Sequence, residues 1–599
     1  MPRPCSCMSG IEEPWQDLDR RTFPEEMTIM QVWRVNVRTQ TLNVEPAPDS
    51  WARLGGRALS ARILLEEVPP TCEPLGRYNK LVFAPGLLVG HMLTSCDRLS
   101  VGGKSPMTGG IKEANAGGTT GLHMTNMGIR ALILKDQPAK GSPEGPWWVL
   151  HLSLKGARFE PAQDLAGLGV FETGRQLLAR YGNKVAIALI GLAGEMRLFA
   201  AGIQNLDKDR VPSRIAARGG LGAVMGAKGL KAIVFDDTGG QKPPIADPQA
   251  FKAARKRFTK NTLDHPQTKL YQDYGTPAMV RMCDGFGGLP TRNFSSGRFE
   301  GAEKISGEHM RDLLLARGGE SETTHACMPG CVIQCSNVYA GADGKAIVAP
   351  LEFETIGLLG SNLGIDDLDT VARLNWEASD LGLDTIDTGA ALGVAAEAGL
   401  MKFGDGVRAL ELLREIRQGT PLGRILGHGA AMAGKVFGVL RVPVVKGQAM
   451  SAYEPRAIKG TGTTYVTSPQ GADHTAGNTV RAKLDHLDPK VQAAASRASQ
   501  INMAGFDTLG ACIFAGFGFM VEPAVIPDLL NTRYGWQVGP DILQVLGKET
   551  ISLEREFNRR AGFTAVHDRI PEYMRTEPLP PHNAVYDVPE EDLDGIFNW

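Results

Sequence analysis

The chain is expected to fold as an α+β protein, β-rich in its N-terminal part and mainly helical beyond. Three features of the sequence predict this. From residue 27 to about 238, short apolar segments such as LVFAPG (81–86), KVAIALIG (184–191) and LKAIVF (230–235) are separated by glycine-rich loops. Past that point, segments such as DPQAFKAARKRFTK, DLDTVARLNWEASDLGL and DGVRALELLREIRQG repeat their apolar residues at helical spacing. The stretch between, DDTGGQKPPIADP (236–248), is dense in Gly, Pro and Asp and reads as a linker. At 599 residues the chain exceeds what one hydrophobic core serves, so several domains in contact are expected.

Residues 1–26 are polar, carry Pro4, Pro14 and Pro24, and end before a second methionine, Met27. They read as an N-terminal extension without the apolar core of a secretion signal. From Met27 the alternation in MTIMQVWRVNVRTQTLNVEP predicts a β-hairpin. No internal repeat is visible in the sequence, nor any apolar run long enough to span a membrane. The net charge of −2 gives no general electrostatic case for nucleic acid or an acidic membrane. A cytoplasmic location is therefore expected, where the nine cysteines would be ligands or buried thiols rather than disulfides. The 72 glycines gather in the N-terminal third, as backbone that approaches a large ligand would require.

The strongest chemical signal is Cys327-Met-Pro-Gly-Cys331-Val-Ile-Gln-Cys335. Thiolates are soft ligands suited to iron–sulfur clusters and zinc. Three leave a cubane one ligand short, and Cys512 is a candidate fourth. A structural zinc site using His325, or unligated buried thiols, are the alternatives. Two glycine loops invite a nucleotide reading, LIGLAGE (189–195) and Gly220-x-Gly222-x-x-x-Gly226, but neither gives the dinucleotide spacing within a βαβ unit.

Taken in order, several motifs resemble the aldehyde ferredoxin oxidoreductase family of tungstopterin enzymes, from about Met27 nearly to the end. Within SCDRLSVGGKSPMTGGIKEANAGGTTG (95–121), Arg98 and Asn115-Ala116-Gly117-Gly118 look like the family's pterin-binding residues. IGLAGE supplies Ala193-Gly194-Glu195. The resemblance implies a magnesium ion held through the backbone carbonyls of Asn115 and Ala193. The family's two D-x-x-G-L-C/D motifs are similar to Asp507-Thr-Leu-Gly510-Ala-Cys512 and to Ser379-Asp380-Leu-Gly382-Leu-Asp384, which place Asp507, Gly510, Asp380 and Asp384 at the pterins. The cysteine spacing departs by one residue from the family's C-x2-C-x3-C.

The resemblance further implies a β-rich pterin base (27–238) and two mainly helical domains (239–435 and 436–599). The implied cofactors are a tungsten (alternatively molybdenum) bis-pterin, magnesium, and one [4Fe–4S] cluster on Cys327, Cys331, Cys335 and Cys512. The implied reaction is oxidation of a small-molecule aldehyde to the carboxylic acid. Glu354 would serve as general base, with Glu352 as its rival, and His474 would stabilise charge on the substrate oxygen. Electrons would leave through the cluster to ferredoxin or a ferredoxin-like iron–sulfur subunit, with or without a flavoprotein subunit, and an oligomer is expected. Another redox reaction on the same cofactor, such as aromatic acyl-CoA reduction, and a non-catalytic iron–sulfur relay are the alternatives.

Overall fold

A computed structural model describes residues 30–139 and 146–599. The expected N-terminal extension, with Cys5 and Cys7, lies outside these residues.

The expected hairpin is present as β1 (Gln31–Asn36) and β2 (Thr41–Pro46), paired antiparallel. It opens a six-stranded sheet completed by β3 (Leu81–Pro85), β4 (Leu99–Lys104), β5 (Ile111–Ala116) and β6 (Ile129–Lys135), in the order β2-β1-β6-β3-β4-β5. A second sheet follows, built from β7 (Trp148–Ser153), β8 (Gly156–Pro161), β9 (Ala186–Leu189), β10 (Ile203–Asn205), β11 (Arg214–Ala216) and β12 (Leu230–Asp236). Read from its hairpin edge, its order is β8-β7-β12-β9-β10-β11. The two sheets share one topology. Each runs hairpin, helix (Gly56–Glu67 or Val170–Tyr181), three antiparallel strands, short helix (Thr120–Asn126 or Leu221–Ala227), then a last strand parallel to the first. The N-terminal domain is thus a duplicated unit, a repeat the sequence does not display. Such a topology asks only for apolar residues at period 2 and for turns in the right places, which many sequences supply.

Alternation along the strands sorts side chains onto two faces. Phe83 and Leu132 join Val149, Ile187 and Ile233 in a core shared between the sheets. Their neighbours Val82 and Ile133 point the other way, onto Leu59 and Ile63 of the helix Gly56–Glu67. With both faces covered, β3, β4 and β9 are buried throughout, which explains their apolar or small residues, broken only by Lys104 at the end of β4.

From the helix Pro248–Asp264 onward the chain is mainly helical, interrupted by a two-stranded ribbon (Val444–Val445 with Gln448–Ala449) and by a larger sheet. That sheet, of β13 (Glu322–His325), β14 (Ser336–Ala340) and β15 (Ala346–Val348), frames the cysteine loop, which connects β13 to β14. One large apolar core runs across residue 435, joining Ile356 and Leu374 to Tyr465 and Met574. A second joins Phe251 and Phe258, just after the linker, to Leu529 and Leu546 near the C-terminus. Among the described residues no single helix is long and apolar enough to cross a membrane.

Candidate functional site

Where β5 and β11, corresponding edge strands of the two sheets, pack together, a cavity of about 480 Å3 opens beneath the helical layer. Each strand leads into a Gly-Gly turn and then a short helix: Gly117-Gly118 after β5, Gly219-Gly220 after β11. Gly118, Gly219 and Gly220 have φ of 97°, 82° and 78°, a region open to glycine and strained for other residues. Such turns can present backbone N–H groups to an anion, though at the first of them the Gly118 N–H is given to the Cys327 carbonyl. Counting back from the paired glycines, Asn115 corresponds to Ala217, and both line the cavity.

The two D-x-x-G-L-like loops dock onto these halves in matching fashion. Gly382 and Gly510, both left-handed, end the helices Leu368–Leu381 and Gln492–Leu509. The Gly510 carbonyl accepts from the Arg98 N–H at 3.0 Å, and the Gly382 carbonyl from the Gly202 N–H at 2.9 Å. Likewise Cys512 N–H donates to Ser95 O and Asp384 N–H to Ala200 O. The fit needs glycine on the sheet side as well. A Cβ at Gly86 would stand 2.0 Å from the Gly510 nitrogen, and one at Gly191 2.3 Å from the Leu381 oxygen.

The cradle carries charges of both signs. Arg98, Arg214 and Arg218 line it together with Glu113, Asp384 and Asp507. Arg98 is bonded to the Asn115 side chain; Arg218 lies 3.4 Å from Asp384 and 3.6 Å from Asp387. The Nε of Arg214 and the Oε1 of Gln204 are buried without a hydrogen-bond partner, polar atoms at a site with room for a hydrogen-bonding group. Two corresponding turns, two corresponding loops and these arginines fit a paired phosphate-bearing cofactor.

Beside the cradle stand the cysteines. Cys327, Cys335 and Cys512 line the cavity, and Cys331, 8 % exposed, sits behind with its sulfur 3.5 Å from the Ser95 hydroxyl. The Cys327 carbonyl accepts from Gly118 N–H at 2.9 Å, which joins the cysteine loop to the first Gly-Gly turn. Burial pushes the Cys327 thiol up to about 12, with Cys331 and Cys512 adding to the effect, and burial raises Cys335 and Cys512 too. Thiols so placed become thiolates only when a metal supplies compensating charge. Among the described residues no three His, Cys, Asp or Glu side chains are close enough to hold one metal ion. A single zinc would need its sulfurs at ~2.3 Å from one centre. His325, the zinc alternative's fourth ligand, is engaged instead between Arg214 and Asp209, at 3.0 and 2.6 Å.

On the helical side, Glu354 and His474 meet. Glu354 lies in the first turn of the helix Phe353–Leu359, and His474 opens a 3-10 turn capped by Asp473. Glu354 Oε1 is 3.1 Å from His474 Nε2, and Oε2 accepts from the Ala452 N–H at 2.7 Å. Burial raises the Glu354 carboxyl above the ordinary range, with His474 opposing. Both side chains keep under a fifth of their surface open, 17 and 18 %, and both line the cavity. Glu352 also lines it but accepts from the Thr276 and Ser336 hydroxyls, close to Cys335.

Burial alone would raise the Asp473 carboxyl, but Lys112, Arg218 and His474 overcome it and hold it well below the carboxylate range. Lys112 Nζ donates to Asp473 at 2.5 Å, and both side chains are buried. This pair ties the His474 turn to β5. Its contribution to stability is present above the unfolded-state carboxyl value and is lost as pH falls. Lys112→Met should cost about 3–5 kcal/mol by leaving a buried charge without its partner, read from the urea midpoint at neutral pH.

The structure thus brings Arg98, Asn115, Gly117, Asp384, Asp507, Glu352, Glu354, His474 and three of the four cysteines to one cavity, with Ala116, Gly118, Gly510 and Cys331 just behind its wall. It places four others elsewhere. Ala193 and Gly194 are buried in a short turn against Ile190 and Gly226. Glu195 pairs with Lys231. Asp380 accepts from Arg417 and the Phe171 N–H, while its neighbour Ser379 reaches the cavity. Ala193 therefore does not face Asn115 from the cavity wall; the segment that does, Ser213–Arg218, was passed over in the sequence. The signal was available, because RGG (218–220) answers AGG (116–118), but it becomes visible only once the sheets are superposable.

A cradle for an anionic cofactor, grouped thiols and a buried carboxyl–imidazole pair around one cavity define a cofactor-dependent oxidoreductase. Residues 32–237 match the family model of the aldehyde ferredoxin oxidoreductase N-terminal domain, and residues 253–596 that of its domains 2 and 3. The chain belongs to the aldehyde ferredoxin oxidoreductase family, which consists of tungsten enzymes and implies a tungsten bis-pterin. It is 31 % identical to the tungsten-containing aldehyde ferredoxin oxidoreductase of Thermococcus kodakarensis over 91 % of each chain. Over 84 % of its length it is 27 % identical to the aliphatic sulfonate oxidoreductase WOR-like subunit of Pyrococcus furiosus, covering 81 % of that chain. Its fold matches the active-site complex BamBC of benzoyl coenzyme A reductase at a TM-score of 0.76 and 19 % identity, covering 95 % of this chain and 93 % of the other.

Proposed function

We propose that the chain oxidises an aldehyde to the carboxylic acid, RCHO + H2O → RCOOH + 2 e− + 2 H+. The observation that carries this reading is the Glu354–His474 contact, 3.1 Å, inside a cavity whose other wall holds the cysteines. When bound, a tungsten bis-pterin would accept the electron pair and pass the electrons on singly. The Gly117-Gly118 and Gly219-Gly220 turns would hold its phosphates, with Arg98, Arg214 and Arg218 neutralising them. A magnesium ion would take backbone carbonyls from Asn115 and, by correspondence of the two halves, Ala217 rather than Ala193. Glu354 would accept the proton of water or of the aldehyde hydrate, and His474 would donate to the substrate oxygen.

Cys327, Cys331, Cys335 and Cys512 would carry the [4Fe–4S] cluster that takes the electrons out. Gly330 and Gln334, in the same loop, are exposed, and a carrier would approach there. That carrier would be ferredoxin or a ferredoxin-like subunit, since one cluster passes single electrons and nicotinamide takes a pair.

The test is anaerobic purification with metal analysis, followed by aldehyde oxidation assays. Expected are about one tungsten and four irons per chain and activity with a one-electron dye but not with NAD. Absence of tungsten and molybdenum alike would reduce the chain to a relay. Full metal content without aldehyde turnover would favour another reaction on the same cofactor, such as reduction of an aromatic acyl-CoA.

A further inference from the structure

Four arginines line the cavity, and one of them is not part of the cofactor cradle. Arg214 and Arg218 have carboxylates within 4.0 Å, and Arg98 is tied to Asn115 on β5. Arg481 sits among the helical elements. Its guanidinium lies over the Tyr271 ring, 4.9 Å from the centroid, and donates to the Tyr271 hydroxyl and the Gln267 amide oxygen. Met279 sulfur completes its surroundings at 3.3 Å. Every neighbour is neutral, and among the described residues no carboxylate lies within ion-pair distance of it. Around it the wall is aromatic and apolar: Tyr271 packs on Phe514 at 4.3 Å and on Phe517 at 5.9 Å, and Val480 and Met503 also line the cavity.

A half-buried cation facing such a cavity without a counter-ion leaves donor capacity for a bound anion, and a guanidinium matches a carboxylate in shape. The Glu354–His474 pair lies on the same cavity, with Tyr453 beside it at 5.7 Å from the His474 ring. We propose that Arg481 is a specificity residue that binds an anionic group at the far end of the substrate, so that the preferred aldehydes carry a carboxylate on an aryl or apolar body. The proposal rests on the aldehyde reading for its reaction, but not for its binding site.

The experiment compares 4-carboxybenzaldehyde with benzaldehyde in the holoenzyme, and separately measures binding of terephthalate and benzoate by calorimetry. The wild type should show a KM for 4-carboxybenzaldehyde about 10-fold or more below that for benzaldehyde, and bind terephthalate tighter than benzoate by a similar factor. Arg481→Gln should abolish both preferences by raising KM for the acid alone, with kcat for benzaldehyde unchanged. Arg481→Lys, which keeps the charge, should retain part of each preference. Equal effects of Arg481→Gln on both aldehydes, or a wild type indifferent to the carboxylate in both measurements, would overturn the proposal. Should terephthalate bind selectively through Arg481 while neither aldehyde turns over, the subsite stands and the aldehyde reaction falls.

Discussion

Glu354→Gln is expected to lower turnover by about 10²–10⁴-fold while tungsten and iron content stay at the wild-type level. The substitution keeps the shape and the 2.7 Å contact from the Ala452 N–H, which an amide oxygen can still accept. It removes the carboxylate that faces His474, the proposed proton acceptor. Glu352→Gln is the control. Glu352 is already spoken for by the Thr276 and Ser336 hydroxyls and lies toward Cys335, so its loss should disturb the cluster environment more than proton transfer. A pH profile separates the two further. Burial raises the Glu354 carboxyl above an ordinary glutamate, only partly opposed by His474, the Ala452 N–H and Arg218. A base works deprotonated, so kcat/KM should climb with pH along an acidic limb displaced above that of a free glutamate. The limb should vanish in Glu354→Gln. Should Glu352→Gln remove it instead, the base is Glu352.

The parts of this molecule that sequence made legible are those whose chemistry is local. The β-rich first half, the linker and the helical texture follow from periodicity, and the cysteine loop from its spacing. Arg98, Asn115, Glu354 and His474 were reachable because the residues around each resemble a family pattern. Ala193 and Asp380 are two that the structure places away from the cavity lining. Ala193 follows a strand and a glycine, as a cofactor residue would, yet its turn packs inward on Gly226. Asp380 stands one place from the motif's leading position, and that single step along a helix turns its carboxylate about 100° away, to Arg417. The duplication of the sheets was hidden for a related reason. It lives in strand order and hydrogen-bond partners, such as Arg98 to Gly510 and Gly202 to Gly382, and those are backbone contacts that side-chain identity does not encode. Arg481 was overlooked because its meaning depends on the absence of a carboxylate in three dimensions.

Cys512→Ser should lose or remodel the proposed cluster, with iron falling below about four per chain, while Asp384→Asn should leave iron unchanged. The contrast is instructive because the two residues hold corresponding places. Each follows a left-handed glycine, and each donates its N–H to the loop after the third strand of its half: Cys512 to Ser95, Asp384 to Ala200. A purely structural role for both would predict similar, modest losses of stability and no spectroscopic change. Their surroundings differ in kind, however. Cys331 stands near enough to help raise the Cys327 and Cys512 thiols, Cys512 adds to the rise at Cys327, and Met328 and Ile333 are buried in the same cluster. Asp384 faces Arg218 instead, at 3.4 Å, and caps the helix Thr385–Glu397. With the cluster gone, the electrons have no exit from the cavity, so turnover with a one-electron dye should collapse in Cys512→Ser even where tungsten is retained. Iron analysis and the low-temperature paramagnetic resonance of the reduced protein decide it. An unaltered cluster signal in Cys512→Ser would move the fourth ligand elsewhere, and a lost signal in Asp384→Asn would place that half of the cradle in contact with the cluster.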